Sequence, residues 1–282
     1  MQQSKAFVLL IDSGNSRIKC RVLRVTVQGL DTENYVDEFV LNNDQYHLFE
    51  RELKKLQRVF GRALGIFAIS VASLSLRTNL DEMCIKVFNR SIEWLRVEKS
   101  SLYLNNHYDV QQLGVDRWYG VLGAYQHYSS MYQQMVANDK TAFLYISFGT
   151  ATTIDAVVGN DYLGGVILPG VRLMQKSLYH GTAQLPDVHD LVISKDIFPR
   201  NTQEAIETGI VRAQAGAVLR QIQTIQQFHC LPLLYISGGA RNSVITEIQS
   251  VFSNQADIPK VIELEAPVLD GLMAYIASRN FS

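Results

Sequence analysis

The residues best suited to chemistry sit at two glycine turns. At the first, an apolar run over 6–11 ends in Asp12, Ser13, Gly14, Asn15 and Ser16, and a return run carries Lys19. A carboxylate at the mouth of a buried strand is costly unless it meets a cation or accepts hydrogen bonds. Asp12 therefore reads as a partner for Mg²⁺ on a phosphate, through water, because Mg²⁺ keeps much of its hydration shell. The alternative is an aspartate that caps the turn. Gly14 allows close backbone approach, Asn15 and Ser16 offer polar contacts, and the Lys19 ammonium can reach a phosphate oxygen as a point charge. A solvated strand lysine is the alternative there. At the second turn, a run over 142–148 breaks at Gly149 into Thr150, Thr152 and Thr153. Apolar runs over 154–158 and 162–168 follow, parted by Gly159, Asn160 and Asp161. A strand, a Gly/Thr turn and a return strand can aim N–H groups and hydroxyls at an anion. An ordinary hairpin with threonines on its exposed face has the same pattern.

The two turns share a grammar. Leu10-Ile11-Asp12-Ser13-Gly14-Asn15 aligns with Tyr145-Ile146-Ser147-Phe148-Gly149-Thr150. Two like hairpins, one opening each half, predict a duplicated domain with a cleft between the halves and one phosphate turn from each. That arrangement resembles the actin-like, acetate- and sugar-kinase superfamily. The resemblance implies an α/β fold of two ribonuclease-H-like subdomains, 1–117 and 118–282, with a nucleotide cleft between them. Five motifs then occur in one order: DSGNSRIK (12–19), GVDR (114–117), GTATTID (149–155), GGVILPG (164–170) and TAQLP (182–186). PRNTQEAIETG (199–209) and SGG (237–239) extend them. Together they resemble the signature of type III pantothenate kinase over nearly the whole chain.

This resemblance implies ATP-dependent phosphorylation of pantothenate to phosphopantothenate, the first step towards coenzyme A, with Mg²⁺ and a K⁺ or NH₄⁺ ion. It implies that Asp116 is the catalytic base and that Gly114, Val115, Asp116, Arg117 and Thr182 surround pantothenate. It assigns Asp12, Ser13, Gly14, Asn15, Ser16, Arg17, Ile18, Lys19 and Thr150 to the nucleotide phosphates, and Ser237-Gly238-Gly239 to a nucleotide-side turn. The chemistry of the residue types agrees. A primary hydroxyl attacking a γ-phosphate must lose its proton, and a nearby carboxylate can accept it. Arg117 can fork onto a substrate carboxylate, a match that lysine makes less well. Without the other motifs, Asp116 and Arg117 read as an acid at a helix start beside a solvated arginine, and Thr182 as a polar loop residue next to Gly181. A cytoplasmic homodimer is implied in the same way.

Two positions depart from the family pattern. Ser147 stands where an Asp that helps hold the monovalent cation is usual, which puts that cation in doubt here; Asp155, on the return strand, is the candidate to compensate. Ahead of GVDR, a substrate-contacting Tyr falls by spacing on His107, with Tyr108 beside it and Val110 where proline is usual. Three classes of function are thus in play: a pantothenate kinase, a kinase of another small hydroxylated acceptor, and a binding or regulatory protein with weakened turnover. GVDR and TAQLP favour the first, and Ser147 alone points to the last.

Composition narrows the field further. The 282 residues are enough for two ordinary domains, and 47% hydrophobic with 19% charged residues is a globular balance. A formal net charge of −1 leaves no electrostatic footprint for nucleic acid or an anionic membrane. The cysteines Cys20, Cys84 and Cys230 lie far apart without metal-ligand spacing and read as reduced thiols. The run over 6–11 is too short for a signal peptide, and no apolar run has membrane-spanning length. The expectation is a soluble intracellular protein.

The elements that must position these residues alternate between strand and helix. Strands are expected over 6–11, 18–25 and 35–41, the last after a turn at Gly29, Leu30 and Asp31. A helix over 44–60 follows, with Tyr46, Phe49, Leu53, Leu56 and Phe60 at helical spacing. Further expectations are a strand over 67–71, a helix over 77–88, a strand over 92–97 and a loop from 99 ending at Asp116. A helix over 118–135 leads to a turn at Asn138, Asp139 and Lys140, ahead of the second hairpin. Residues 186–200 read as a surface loop. Asn201 and Glu204 form a capping box for a helix to 228, with Ile206, Ile210, Ala213, Ala217 and Ile225 on one face. A strand over 233–236, a glycine turn, a helix over 240–252, a strand over 261–264 and a helix over 267–278 complete the chain.

Overall fold

A computed structural model describes residues 6–26, 29–132, 141–188, 196, 198–228, 231–252 and 258–279. Contacts divide the chain into a first unit, Met1–Gln134 with Ala266–Ser282, and a second, Met135–Glu265. This division differs from a cut at 117: the helix that carries Asp116 and the C-terminal helix both belong to the first unit.

The first unit opens with β1 (Ala6–Ser13), β2 (Arg17–Thr26) and β3 (Gly29–Asn42). A short 3₁₀ turn, Asn43–Leu48, leads into α1 (Phe49–Phe60), followed by β4 (Arg62–Ser70), α2 (Leu74–Phe88) and the two-residue β5 (Glu93–Trp94). Its sheet runs β3-β2-β1-β4-β5, with β1, β2 and β3 antiparallel and β4 and β5 parallel to β1. Residues 7–13 of β1 are all buried, as a central strand covered on both faces requires. Phe7, Leu9 and Ile11 pack with Phe49, Leu53 and Leu56 of α1 and Leu80 and Cys84 of α2. Each such side chain contributes about 1.5–3 kcal/mol on burial. The unit continues through a small hairpin, β6 (Ser100–Ser101) and β7 (Leu104–Asn106), to α3 (Val115–Tyr132).

The second unit repeats the plan. It comprises β8 (Ala142–Phe148), β9 (Ala151–Val158), β10 (Asp161–Pro169), α4 (Val171–Gly181), α5 (Thr202–Gln226), β11 (Leu233–Ser237), α6 (Arg241–Phe252) and β12 (Val261–Glu263). Its strands run β10-β9-β8-β11-β12, three antiparallel and then two parallel, the same order and polarity as in the first unit. The duplication expected from the two hairpins is therefore present in the sheets. Leu144, Ile146 and Phe148 pack against Ile210, Val211, Val218 and Ile222 of α5 and Val244 and Ile248 of α6.

The last helix, α7 (Pro267–Ser278), belongs to the first unit, where it crosses α3 at two glycines. A Cβ on Gly123 would overlap the Pro267 carbonyl, and one on Gly271 the Tyr119 carbonyl, so this approach admits no larger residue. Arg21, buried in β2, donates from Nη1 to Asp270 at 2.6 Å and pins α7 to the hairpin that carries Asp12.

Several elements differ from expectation. Gly29, Leu30 and Asp31 lie inside β3 instead of forming a turn, because Val25 and Thr26 pair with Leu30 and Gly29 across a bulged ladder. The strand expected over 92–97 shrinks to Glu93–Trp94. Helix α2 starts earlier, at Leu74, because the Ser73 hydroxyl caps it by accepting from the Leu76 N–H at 3.3 Å. The 99–116 loop contains β6 and β7, and α4 occupies a stretch for which no element was expected. On α5 the buried face includes Val211, Gln214, Ala215, Val218 and Ile222, while Ala213 is exposed. Cys20 and Cys84 are buried free thiols; Cys230 and the Asn138-Asp139-Lys140 turn lie outside the described residues.

Candidate active site

The first hairpin places Asp12 and Lys19 directly opposite each other across β1 and β2, so both side chains stand on one face of the sheet. Asp12 is 7% exposed, and no hydrogen bond among the described residues ends on its carboxylate. Burial pushes its pKa up to about 6; the Lys19 charge works against that rise and the Asp116 charge adds to it. The turn itself is braced. Gly14 N–H donates to the Arg17 carbonyl at 2.9 Å, Val71 N–H to Ser13 at 3.1 Å, and Asn43 to both Gly14 (Nδ2, 2.9 Å) and Ser16 (N–H, 3.0 Å). Four carbonyls are thus engaged within the protein, and a turn whose acceptors are occupied is suited to an anion. Asn15, Ser16 and Arg17 are exposed. Ser13 is buried with its hydroxyl unpartnered among the described residues, and the Ile18 side chain lies in the core, so only its backbone can serve a ligand.

Asp116 is not the end of a loop but the second residue of α3. The Gly114 carbonyl accepts the first helical bond, from Trp118 N–H at 3.1 Å, which puts Gly114 at the N-cap position and Val115 at the first helical one. A carboxylate in the first turn is favoured by the helix dipole. Asp116 Oδ1 accepts from Arg117 N–H at 2.9 Å; burial nevertheless holds its pKa above the usual aspartate value, against the pull of the Arg117 and Asp116 N–H groups. A Cβ on Gly114 would stand 2.8 Å from Asp116 Oδ1, so glycine leaves this carboxylate its place. Arg117 is buried, with its guanidinium carbon 5.2 Å from the centroid of the Tyr108 ring. Tyr108 N–H donates to Asn106 Oδ1 at 2.9 Å, and Asn106 is anchored to the Glu98 carbonyl at 3.0 Å. His107 is exposed. The Tyr108 ring therefore packs on Arg117.

In the second unit the turn is one residue shorter. Ser147 pairs with Thr153, six residues on, where Asp12 pairs with Lys19, seven on. Thr153 stands in the place of Lys19 and Ser147 in that of Asp12, so the second copy keeps the backbone plan and lacks both charges. Gly149 N–H donates to Ala151 at 3.1 Å, and Thr150 is exposed. Two glycines support this turn: Gly170, whose N–H donates to the Thr150 carbonyl at 3.0 Å, and Gly238, seated on the Phe148 backbone with φ +98°. Ser237 is aligned with Ser147 on the other side of β8, and its hydroxyl meets Tyr145 Oη at 3.2 Å. Asp155, two residues beyond Thr153 on the same face, is fully buried and accepts from Tyr162 Oη at 2.7 Å. Thr182 is exposed, and its hydroxyl donates to the Leu178 carbonyl at 2.8 Å, closing the last turn of α4.

The family model for type III pantothenate kinase matches residues 8–224, which includes all these positions except Ser237 and Gly238. The chain belongs to that family. Among its curated relatives, type III pantothenate kinases of Bordetella bronchiseptica and Bordetella petrii are 34% and 35% identical to it. The first covers 96% of this chain and 97% of its own, the second 94% and 95%. In fold, the chain is similar to the crystal structure of a Campylobacter jejuni protein described as a Baf family transcriptional activator. That likeness has a TM-score of 0.53 at 22% identity, over 96% of this chain and 98% of that one. A Sinorhizobium meliloti protein described as a 2-dehydro-3-deoxygalactonokinase gives a TM-score of 0.60 at 10% identity, over 98% of this chain and all of that one.

Members of a kinase family need a place for Mg²⁺ with its nucleotide, and the residues of the first hairpin fit one. Among the described residues the buried Asp12 carboxylate has no hydrogen-bond donor, and a cation beside it would relieve the charge that burial penalises. Sequence reading missed Asn43, which ties down the turn, and Tyr108's seat on Arg117. Both depend on tertiary contacts; the one local hint is that Asn43 begins the element after β3.

Proposed function

We propose that this type III pantothenate kinase runs its phosphoryl transfer on the residues of the first unit, with Asp116 as the base. The enzyme phosphorylates pantothenate in coenzyme A biosynthesis. The reaction joins the primary hydroxyl oxygen of pantothenate to the γ-phosphorus of ATP, breaks the bond from that phosphorus to the bridging oxygen, and releases ADP. The hydroxyl proton passes to the Asp116 carboxylate, whose raised pKa makes it a better proton acceptor than an exposed aspartate. Arg117, held by Tyr108, takes the carboxylate of pantothenate in its fork, with Gly114 and Val115 shaping the approach and Thr182 as a further contact. Asp12 would hold Mg²⁺, which would neutralise phosphate charge; Lys19 adds a positive charge from the same face. The turn from Ser13 to Ile18 supplies backbone and side-chain contacts to phosphate. In the second unit, Thr150 and the Ser237-Gly238-Gly239 turn are assigned to the nucleotide.

The observation that carries this reading is the pairing of Asp12 with Lys19 across β1 and β2, in the unit that also holds Asp116; the Asp116 charge adds to the rise in the Asp12 pKa. A homodimer, a cytoplasmic location and activation by K⁺ or NH₄⁺ belong to the same proposal and are supported by family membership. No described helix is long and apolar enough to cross a membrane. The test is ADP release from ATP with pantothenate, with sugars and with no acceptor. Release that requires pantothenate supports the reading; equal release with a sugar, or none with any acceptor, refutes it.

A further inference from the structure

Behind the Ser237-Gly238-Gly239 turn lies a clamp that the mechanism above does not use. Arg241, the first residue of α6, donates from Nη1 to the Gly238 carbonyl at 3.2 Å, from Nε to Glu263 Oε2 at 2.7 Å and from Nη2 to Glu265 Oε1 at 2.8 Å. Glu263 ends β12, and Glu265 follows two residues later. One guanidinium thus ties the turn to the last strand of the sheet. What it holds is a constrained point: Gly238 has φ +98°, and a Cβ there would overlap Phe148 backbone atoms. Ala240 N–H reaches the same Phe148 carbonyl at 3.5 Å, and Phe148 immediately precedes Gly149 and Thr150. The chain of contact runs from Arg241 through Gly238 and Phe148 to the glycine–threonine turn. A lone exposed ion pair contributes little, but here a planar fork spends all three donor nitrogens on one arrangement, which a lysine cannot reproduce.

We infer that Arg241 is a positioning residue that fixes the Ser237-Gly238-Gly239 turn for nucleotide binding, acting through its bonds to Gly238, Glu263 and Glu265. The inference rests on the reading that this turn contacts the nucleotide. Steady-state kinetics of the full chain, with ATP and pantothenate varied separately, test it. Arg241→Ala raises the KM for ATP about three- to tenfold and moves that for pantothenate less than about twofold, as loss of an ordering interaction on one substrate's side requires. Arg241→Lys falls between the two. The double variant Glu263→Gln/Glu265→Gln reproduces part of the ATP effect, because it loosens the clamp while leaving the guanidinium present. An unchanged or lowered ATP KM in that double variant would overturn the inference, since freeing the arginine would then not disturb binding. Equal shifts in both KM values for Arg241→Ala would overturn it as well. Gly239→Asp separates the underlying reading: a Cβ there meets nothing within 4 Å, so the variant brings a carboxylate to the turn from a position with open space. If Gly239→Asp leaves the ATP KM unchanged, the nucleotide is not at this turn and the inference falls with that reading. If Gly239→Asp raises it and Arg241→Ala does not, the turn keeps its role and the clamp loses its own.

Discussion

Asp12→Asn trades function for stability, and the structure sets the size and the pH dependence of the trade. The Asp12 carboxylate is buried without a hydrogen bond among the described residues, and its pKa rises from 3.8 to about 6. Between those two values the folded chain holds a proton that the unfolded chain has released. Stability therefore falls as pH rises, by about 1.4 kcal/mol for each unit, and levels off above about pH 6. That rise makes ionised Asp12 cost about 3 kcal/mol at neutral pH. Asparagine has no such charge to bury. Urea unfolding of both forms, without nucleotide, at about pH 4.5 and about pH 7.5 measures the effect. The gap in favour of Asp12→Asn should widen by about 2 kcal/mol from the lower pH to the higher, while kinase activity falls. A gap that is the same at both pH values would refute the claim that burial raises the Asp12 pKa in the folded chain. A mere change of shape would alter stability equally at both.

Three further outcomes follow from the geometry. Gly114→Ala sets a methyl group 2.8 Å from Asp116 Oδ1 and should lower turnover about tenfold or more with little change in melting temperature, as kinetics and thermal unfolding on one preparation would show. Lys19→Ala removes the cation paired with Asp12 across the strands; turnover should fall roughly tenfold or more, and wild-type kinetics would return Lys19 to a solvated strand position. Ser147→Asp restores a carboxylate beside Thr153 and Ser237 and should lower the K⁺ concentration for half-activation in Na⁺-free buffer; equal values in both forms would place the cation elsewhere.

Much of the fold was legible because its decisive strands announce themselves. The runs ending at Ser13 and Phe148 are buried throughout or nearly so, and a glycine turn follows each, so the two hairpins and their duplication could be read directly. Periodicity located α1 through Phe49, Leu53 and Leu56, and a capping side chain located α5, where Asn201 accepts from Glu204 N–H at 2.9 Å. Elements were lost where polar residues hide the pattern. Helix α4 buries only Val171 and Gln175 fully, and its Pro169-Gly170 entrance looked like a stop. The domain cut was misplaced because α7 is close in sequence to the second unit and packs on α3 of the first through Gly123 and Gly271. Around the site, the charged residues could be named from their motifs. The groups that hold them, such as Asn43 on Gly14 and Tyr108 on Arg117, are contacts between elements and carry no local pattern.

The central claim is that Asp116 takes the proton from the acceptor hydroxyl, and Asp116→Asn tests it most directly. Asparagine keeps the shape and a hydrogen bond but cannot accept the proton. Pantothenate-dependent ADP release should fall by about 10²–10⁴, while calorimetry on the same preparation still detects pantothenate and a non-hydrolysable ATP analogue. Binding of both with turnover within about threefold of wild type would contradict the assignment, and loss of all binding would make Asp116 a binding residue instead of the base.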